Sequence, residues 1–579
     1  MLANANRNSD KTMTDAIIEQ LTAAGGPFEF VNIEVGGVPC RVFRDTPAYL
    51  SALYRNLPQF SDKILVVYEG RRLSFADVAA QAATLAAHLR DQHDVGRGSR
   101  VAVVMRNCPE WLISFIAITS LGGVAVLVNS RGKPEEIAYC LESTNCSVAI
   151  VDQRCAAGLD ATPAASIPRL VTDVPEGDQA GSGFLDGILA AAGDLALETT
   201  ECDPEEPALI LFTSGTTGQP KGALLTHRGV MTALQTNQYS NALIGAQMAA
   251  RFGIDLETLA ANRPQSCTLL MFPLFHVSGC HSVLLPALAN GGKLVLMKRW
   301  NAQSALGLVE SEKITVFPGV PTMHWDLLQV PEREKYDLSS MSSMSIGGQA
   351  TPLPLLEAIK EAFPTAILGV GYGMTETNGA ITLAIGEDLL GAPTSAGKAV
   401  ATTEIRLMAD DGSWAAPGTD GEICVRGATV MSGYDNRPEA TAEAFKDGWF
   451  CTGDIGYLDE EQRLYIVDRK TDMVISGGEN IYCAEVERVF SQHPAVLEAV
   501  TFGIPDDRLG EKLIAMVRLR HGESTDAAEI EGSLKEHLAT YKIPKIIAIV
   551  EDPLPRNPAG KIPKPKIREL FLSTLDESE

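Results

Sequence analysis

The sequence predicts an α/β protein in which a large layered amino-terminal domain of β-sheets and helices precedes a small α+β carboxy-terminal domain. Three observations lead there. At 579 residues the chain exceeds one ordinary compact unit, since domains usually hold roughly 100 to 200 residues. Apolar runs of strand length alternate with helical periodicity over most of the chain, as in layered α/β cores. Past Asp468 the pattern changes to short strands around helices.

Ser74 and Asp77 read as a capping box, after which Val78, Ala82, Leu85 and Leu89 recur at helical spacing. Val101 to Met105 predicts a strand, Pro109 opens the next helix, and Ser147 to Val151 predicts another strand. The segment Pro163 to Cys202 is rich in Pro, Gly, Ala and acids, and is expected to run over the surface. Strands follow at Ala208 to Phe212 and Gly222 to Leu225, with a loop of glycines and hydroxyls between them. Asn241 to Pro264 is expected to form an additional amphipathic helix, by default a surface insertion. In the small unit, strands are expected at Ala499 to Gly503, Leu513 to Leu519 and Ile546 to Val550, with helices near Ala484 to Ser491 and Ala527 to Ala539.

Hydrophobic residues make up 45% of the chain and charged ones 21%, enough apolar material for a large core. The 73 acidic residues outnumber the 48 basic ones, giving a net charge of -25 that repels polyanions and argues against a nucleic-acid partner. The eleven cysteines contain no Cys-x-x-Cys pair and read as free thiols in a reducing compartment, the cytoplasm. Met1 to Phe30 lacks the apolar run of a secretory signal. The longest apolar tract, Trp111 to Val128, is broken by Gly122 and Gly123, so a buried helix and strand are expected there and no transmembrane segment.

Thr213, Ser214, Gly215, Thr216, Thr217 and Gly218 lead through Gln219 and Pro220 to Lys221 and Gly222. Glycines let backbone N–H groups approach phosphate oxygens, hydroxyls add donors, and Lys221 adds a positive charge. This is not a Walker loop, because Gly215 and Gly218 are three apart and Lys221 precedes Gly222 and a strand. The cluster Gly369 to Met374 also fails the dinucleotide fingerprint, since Met374 stands where its last glycine belongs.

The ten-residue loop resembles the signature of the adenylate-forming superfamily, which includes acyl-CoA synthetases, firefly luciferase and peptide-synthetase adenylation domains. The resemblance covers nearly the whole chain. Further blocks occur in the family's order: Pro273 to Val277, Gly347-Gly348-Gln349, Gly371 to Glu376, Gly421 to Gly427, Thr452-Gly453-Asp454, Asp468-Arg469-Lys470, Ser476 to Asn480 and Pro555 to Lys561. It implies an AMP-binding domain over 1–467 (1–25 flexible), a hinge at 468–472 and a small, mobile domain over 473–579. It also implies an ATP-dependent acid–thiol ligase with Mg2+, using ATP and CoA as co-substrates.

By this resemblance Lys561 bridges the substrate carboxylate and the α-phosphate, Thr375 holds the α-phosphate, and Glu376 is the magnesium ligand. Tyr372 lies on adenine, Asp454 accepts the ribose hydroxyls, and Arg469 contacts ribose or phosphates. Gly348, Gln349, Gly371 and Gly373 complete the nucleotide pocket. His276 faces the acyl carboxylate; the competing reading is a satisfied core histidine. Ser476, Gly477 and Gly478 line the CoA tunnel, because backbone without side chains leaves room for pantetheine. Thr471 stands at the hinge, where the family usually has Asp or Lys. Cys424 and Cys451, though inside motif blocks, read as small buried hydrophobes.

The acyl pocket is expected among Val277 to Leu285, Val320 to Trp325, Ile346 to Thr351 and Thr377 to Ile381, segments without Lys, Arg or acid. A hydrophobic monocarboxylic acid is favoured, medium or long aliphatic chains ahead of aryl and arylpropenoic acids. The alternatives are an acyl-AMP ligase loading a carrier protein, a luciferase-like oxygenase, and a non-catalytic nucleotide-binding scaffold. A homodimer is left open.

Overall fold

Ser74 accepts from the Asp77 amide at 3.1 Å while the Asp77 carboxylate accepts from the Ser74 amide at 2.8 Å, so the expected capping box starts the helix Phe75–His93. The computed structural model describes residues 13–173, 184–193, 195–213, 219–255, 264–348, 351–476, 479–506, 508–520, 522–556 and 562–576. The broken apolar tract resolves as expected into a helix, Pro109–Ser120, buried on every side, and a strand, Val124–Leu127.

Among the described residues the strands form four sheets. The first carries Pro207–Thr213, Val124–Leu127, Arg100–Val104, Val148–Asp152 and Arg169–Thr172 in parallel. Their near-continuous apolar runs reflect cover on both faces. Lys221–Thr226 and then Gly433–Tyr434 extend one edge antiparallel. A second, larger sheet includes Cys267–Leu270, Val316–Gly319, Ser343–Ile346, Ile367–Met374 and Gly379–Ile385, and runs on through Gly397–Ala399 to Arg463–Arg469, Trp449–Leu458, Gly421–Gly427 and Thr403–Met408. A two-stranded ribbon pairs Phe30–Val35 with Val38–Phe43. The last sheet joins Glu479–Ile481, Val474–Ser476, Gly510–Leu519, Val496–Asp506 and Ile546–Val550, with the helix Cys483–Phe490 packed on it. The second of its expected helices is shorter, Ala527–Lys535. The chain is therefore a mixed α/β protein with a large amino-terminal part and a small carboxy-terminal one.

Two expectations are corrected. The segment 163–202 is not all surface: Arg169–Thr172 is a sheet strand that buries Leu170 and Thr172, and Leu185–Ala190 is a helix that buries Leu185 and Leu189. Both are too short for periodicity to stand out among prolines and glycines. Asn241 does not start a separate helix either. One continuous helix spans His227–Phe252, begun by Thr226 Oγ1 accepting from the Gly229 amide at 3.1 Å and ended by Gly253 at φ 63°. Ala242, Ile244, Gly245 and Met248 face a cavity, so 241–252 is not a surface insertion; 256–263, the later part of the expected segment, lie outside the described residues.

Candidate active site

A cavity of about 2400 Å³ opens between the two larger sheets and the carboxy-terminal part. Its wall gathers Thr213, Lys221, His276, Gly348, Gly371, Tyr372, Gly373, Thr375, Glu376, Asp454, Arg469 and Thr471, residues spread over nearly half of the sequence. Ser214, Gly215, Thr216, Thr217, Gly218, Gln349, Gly477, Gly478 and Lys561 lie outside the described residues.

Thr213 and Lys221 are cross-strand partners on antiparallel strands, so the ladder itself brings the two ends of the hydroxyl loop together. Lys221 Nζ lies 5.2 Å from the centroid of the Tyr434 ring. The Tyr434 hydroxyl in turn donates to Glu376 Oε1 at 2.9 Å. Burial, and next the Glu376 charge, push the Tyr434 phenol well above its ordinary range and keep it a donor. Glu376 is only 8% exposed. It sits in the short turn Thr375–Thr377, which ends at Asn378 with φ 55°.

The strand register also places Asp454 across from Arg469. Arg469 Nε is 3.2 Å from Asp454 Oδ1, and the Tyr372 hydroxyl donates to Asp454 Oδ2 at 2.7 Å. Tyr372 and Asp454 thus form one acceptor and ring platform from two different strands. The glycine beside it has a structural cause of its own: a Cβ on Gly373 would stand 1.9 Å from the Gly379 carbonyl oxygen. Gly373 is required by the close approach of neighbouring strands, whatever binds there.

After Arg469 the chain turns, with the Asp472 and Met473 amides both donating to the Arg469 carbonyl and Thr471 between. Asp468 accepts from the Arg469 amide at 2.7 Å and from the Ala484 amide at 3.2 Å, and burial pushes its carboxyl up to about 6. Lys564, three residues past Lys561, reaches the cavity wall and pairs with Glu487 at 2.9 Å.

Two calls are not met by this geometry, and a third residue, Ser476, stands away from the cavity in it. Ser476 is buried at the end of Val474–Ser476, pairs with Gly510, and does not line the cavity. Val320 to Trp325 does not line it either; the His324 ring is buried against the Ser345 carbonyl. Cys451 is only partly buried, 3.2 Å Sγ to Sγ from the fully buried Cys424 on the next strand. Sequence reasoning missed Tyr434. Tyr434 had no signal beyond its neighbouring Gly433, because its role depends on a strand added from far along the chain.

Among the described residues no group of three or more His, Cys, Asp or Glu could cage a metal. Glu376 instead offers one buried carboxylate on the cavity wall, which fits a hard cation that keeps its waters and takes phosphate oxygens. Among the described residues no helix is long and apolar enough to cross a membrane.

Residues 53–435 match the family model described as AMP-binding enzyme, and residues 485–561 match that of the AMP-binding enzyme C-terminal domain. The chain is 32% identical to a long-chain-fatty-acid–CoA ligase of Bacillus subtilis, covering 90% of this chain and 94% of the relative. It is 36% identical to a 2-succinylbenzoate–CoA ligase of Geobacillus kaustophilus, covering 88% and 96%. Among solved structures, an o-succinylbenzoate CoA synthetase from Bacillus subtilis in complex with its acyl-adenylate intermediate superposes with a TM-score of 0.73 at 30% identity, covering 89% of this chain and 97% of that one.

Proposed function

The chain belongs to the AMP-binding enzymes of the adenylate-forming superfamily and is an acid–thiol ligase; from that premise we propose that it activates a hydrophobic monocarboxylic acid with ATP and passes the acyl group to CoA. The observation that carries this reading is the joining of Thr213 and Lys221, which flank the hydroxyl loop, the Tyr372–Asp454 platform and the His276 segment around one cavity.

The chemistry needs that convergence. A carboxylate oxygen must reach the α-phosphorus of ATP, and both are negative. Lys221 supplies positive charge at the loop, and Lys561 would supply it between the carboxylate and the α-phosphate. One well-placed group of this kind is often worth ~3 to 4 kcal/mol in a dry site. Magnesium held through Glu376 and phosphate oxygens would neutralise further charge there. Thr375 would hold the α-phosphate, Asp454 the ribose and Tyr372 the adenine ring, while His276 orients the acid. The carboxylate displaces pyrophosphate to give the acyl adenylate, and the CoA thiolate then attacks the acyl carbon and releases AMP.

Lys561 lies far along the chain from the loop, so the two steps call for motion of residues 473–579 about a hinge at 468–472, where Thr471 would take up the change in backbone angles. Withdrawing Lys561 would bring Ser476, Gly477 and Gly478 to the thiol's path. Eleven free thiols suit a reducing, cytoplasmic setting. Medium and long aliphatic acids are favoured over aryl and arylpropenoic ones because apolar residues such as Val277, Val283 and Ile346 line the cavity. An acid panel scored for CoA-dependent AMP release tests this. Release with a carrier-protein thiol but not with CoA would favour the carrier-loading alternative.

A further inference from the structure

Cys424 and Cys451 face each other across the antiparallel strands Gly421–Gly427 and Trp449–Leu458, as direct partners in the ladder. Opposed residues in such a ladder have Cα atoms about 4.5 to 5.5 Å apart, inside the span of about 4.4 to 6.8 Å that a disulfide bridges. Their sulfurs already stand 3.2 Å apart. Of the eleven cysteines nine are buried, Cys424 among them, and two are partly exposed, Cys108 and Cys451. Those two differ in reactivity. Loss of hydration, and next the Glu110 charge, push the Cys108 thiol well up. Cys451 is drawn below its ordinary range, chiefly by the Cys424 thiol, which donates to it, and then by the charges of Lys446 and Lys470.

The pair borders the nucleotide platform. The ladder joins Cys424 to Cys451 and Glu422 to Ile455, so Thr452, Gly453 and Asp454 together face Ile423 alone. A bulge of this kind re-aims side chains, and here Asp454 lines the cavity. The Thr452 hydroxyl holds the bulge by donating to the Ile423 carbonyl at 2.8 Å and accepting from the Asp454 amide at 3.1 Å. Glu422 accepts from the Gly453 amide at 3.2 Å. The bonds that Asp454 makes to Tyr372 and Arg469 belong to this arrangement, in which both thiols are free. Joining the sulfurs draws them from 3.2 Å to covalent distance immediately beside Thr452, and so pulls on the bulge.

We propose that Cys424 and Cys451 are a modification site, forming a reversible disulfide with hydrogen peroxide that weakens ATP binding by displacing the bulge from Thr452 to Asp454. The effect on ATP rests on the ribose role given to Asp454 in the ligase reading. The Cys451 thiolate attacks one peroxide oxygen and becomes a sulfenic acid, the O–O bond breaks, and the departing hydroxide takes up the proton that Cys451 lost, as water. The Cys424 sulfur then attacks the Cys451 sulfur, and its proton leaves with the sulfenic hydroxyl as a second water. Two thiols are oxidised and one peroxide is reduced. Cys424 needs no access to solvent, because the sulfur it attacks is already in contact with it. Transient disulfides of this sensing kind are the ones that occur in a reducing compartment.

The test treats the full-length protein with hydrogen peroxide, alkylates it, and digests it with trypsin without reduction. Peptide 407–426 holds Cys424 as its one cysteine, and peptide 447–463 holds Cys451 as its one, so mass spectrometry reads their linkage directly. This pair is expected to link before any other. The Kd for ATP, measured by calorimetry without acid or CoA, should then rise at least about fivefold. Dithiothreitol should reverse both changes. Cys451→Ser and Cys424→Ala should bind ATP as the reduced protein does and show no response to peroxide, and either serves if the other does not fold. Oxidation of Cys451 that stops at a sulfinic or sulfonic acid, linkage to a different cysteine, a bridge that leaves the Kd unchanged, or a rise in Kd that persists in the variants would overturn the proposal. Failure of the reduced protein to bind ATP would instead overturn the ligase reading and the effect on ATP with it, while the peptide map still decides whether the bridge forms.

Discussion

The Tyr434 hydroxyl donates to Glu376 at 2.9 Å from a two-residue strand, Gly433–Tyr434, added to the edge of the sheet that carries Lys221. One phenol therefore links the loop lysine to the carboxylate proposed for magnesium. A hydrogen bond to a charged group contributes about 1.5 to 3 kcal/mol. Tyr434→Phe is expected to lower acid-dependent pyrophosphate release by roughly 10 to 100-fold at limiting magnesium, with partial recovery at high magnesium. Titrating magnesium in both proteins checks this; superimposable curves would remove Tyr434 from the site.

Tyr434 is held in turn by its neighbour. Asp435, 8% exposed, receives two bonds from Arg100, at 2.8 and 2.9 Å. Removing one member leaves a buried charge unpaired, so Asp435→Ala should lose about 3 kcal/mol in denaturant unfolding. The Arg100→Ala, Asp435→Ala double variant should lose less than the sum of the two single losses. Additive losses would mean that the pair is not coupled.

Asp454 joins Tyr372 and Arg469, so Asp454→Ala strips the platform of its acceptor and takes from the Tyr372 hydroxyl the carboxylate it donates to. The KM for ATP should rise at least about tenfold, more than for Tyr372→Phe. The double variant should show a smaller rise than the product of the single effects. Steady-state kinetics with ATP varied provide the check.

How far the sequence carried the site depended on distance along the chain. Thr213 with Lys221, and Tyr372 with Glu376, are close neighbours in sequence, and their chemistry could be read from local spacing. Tyr434 reaches Glu376 only through sheet pairing. The fold was legible wherever runs were long: the capping box at Ser74 and the strands on either side of the hydroxyl loop stand where periodicity put them. Periodicity failed for Arg169–Thr172, a four-residue strand, and for His227–Phe252, whose residues divide between the core and the cavity and so show no clean apolar stripe.

Burial holds three histidines neutral: His227, which accepts from the Leu50 amide at 3.2 Å, His281 and His324, each lowered to about 4. In the unfolded chain they titrate near 6.5, so between that pH and about 4 the unfolded state binds more protons than the folded one. Their contribution is whole above pH 6.5 and is lost as the pH falls towards 4, at about 3 kcal/mol each. The melting temperature should fall across this window, and His227→Gln should flatten the fall. A fall equally steep in that variant would show that His227 does not titrate as described.

The central claim is that this chain makes an acyl adenylate. Pyrophosphate exchange into ATP, measured without CoA over a panel of acids, tests it most directly when the mixed anhydride is also sought by mass spectrometry. Exchange should depend on both acid and magnesium, the anhydride should be trapped, and both should disappear in Lys561→Ala. Exchange that survives in Lys561→Ala would contradict the role given to that lysine, and a panel in which no acid yields the anhydride would contradict the claim itself.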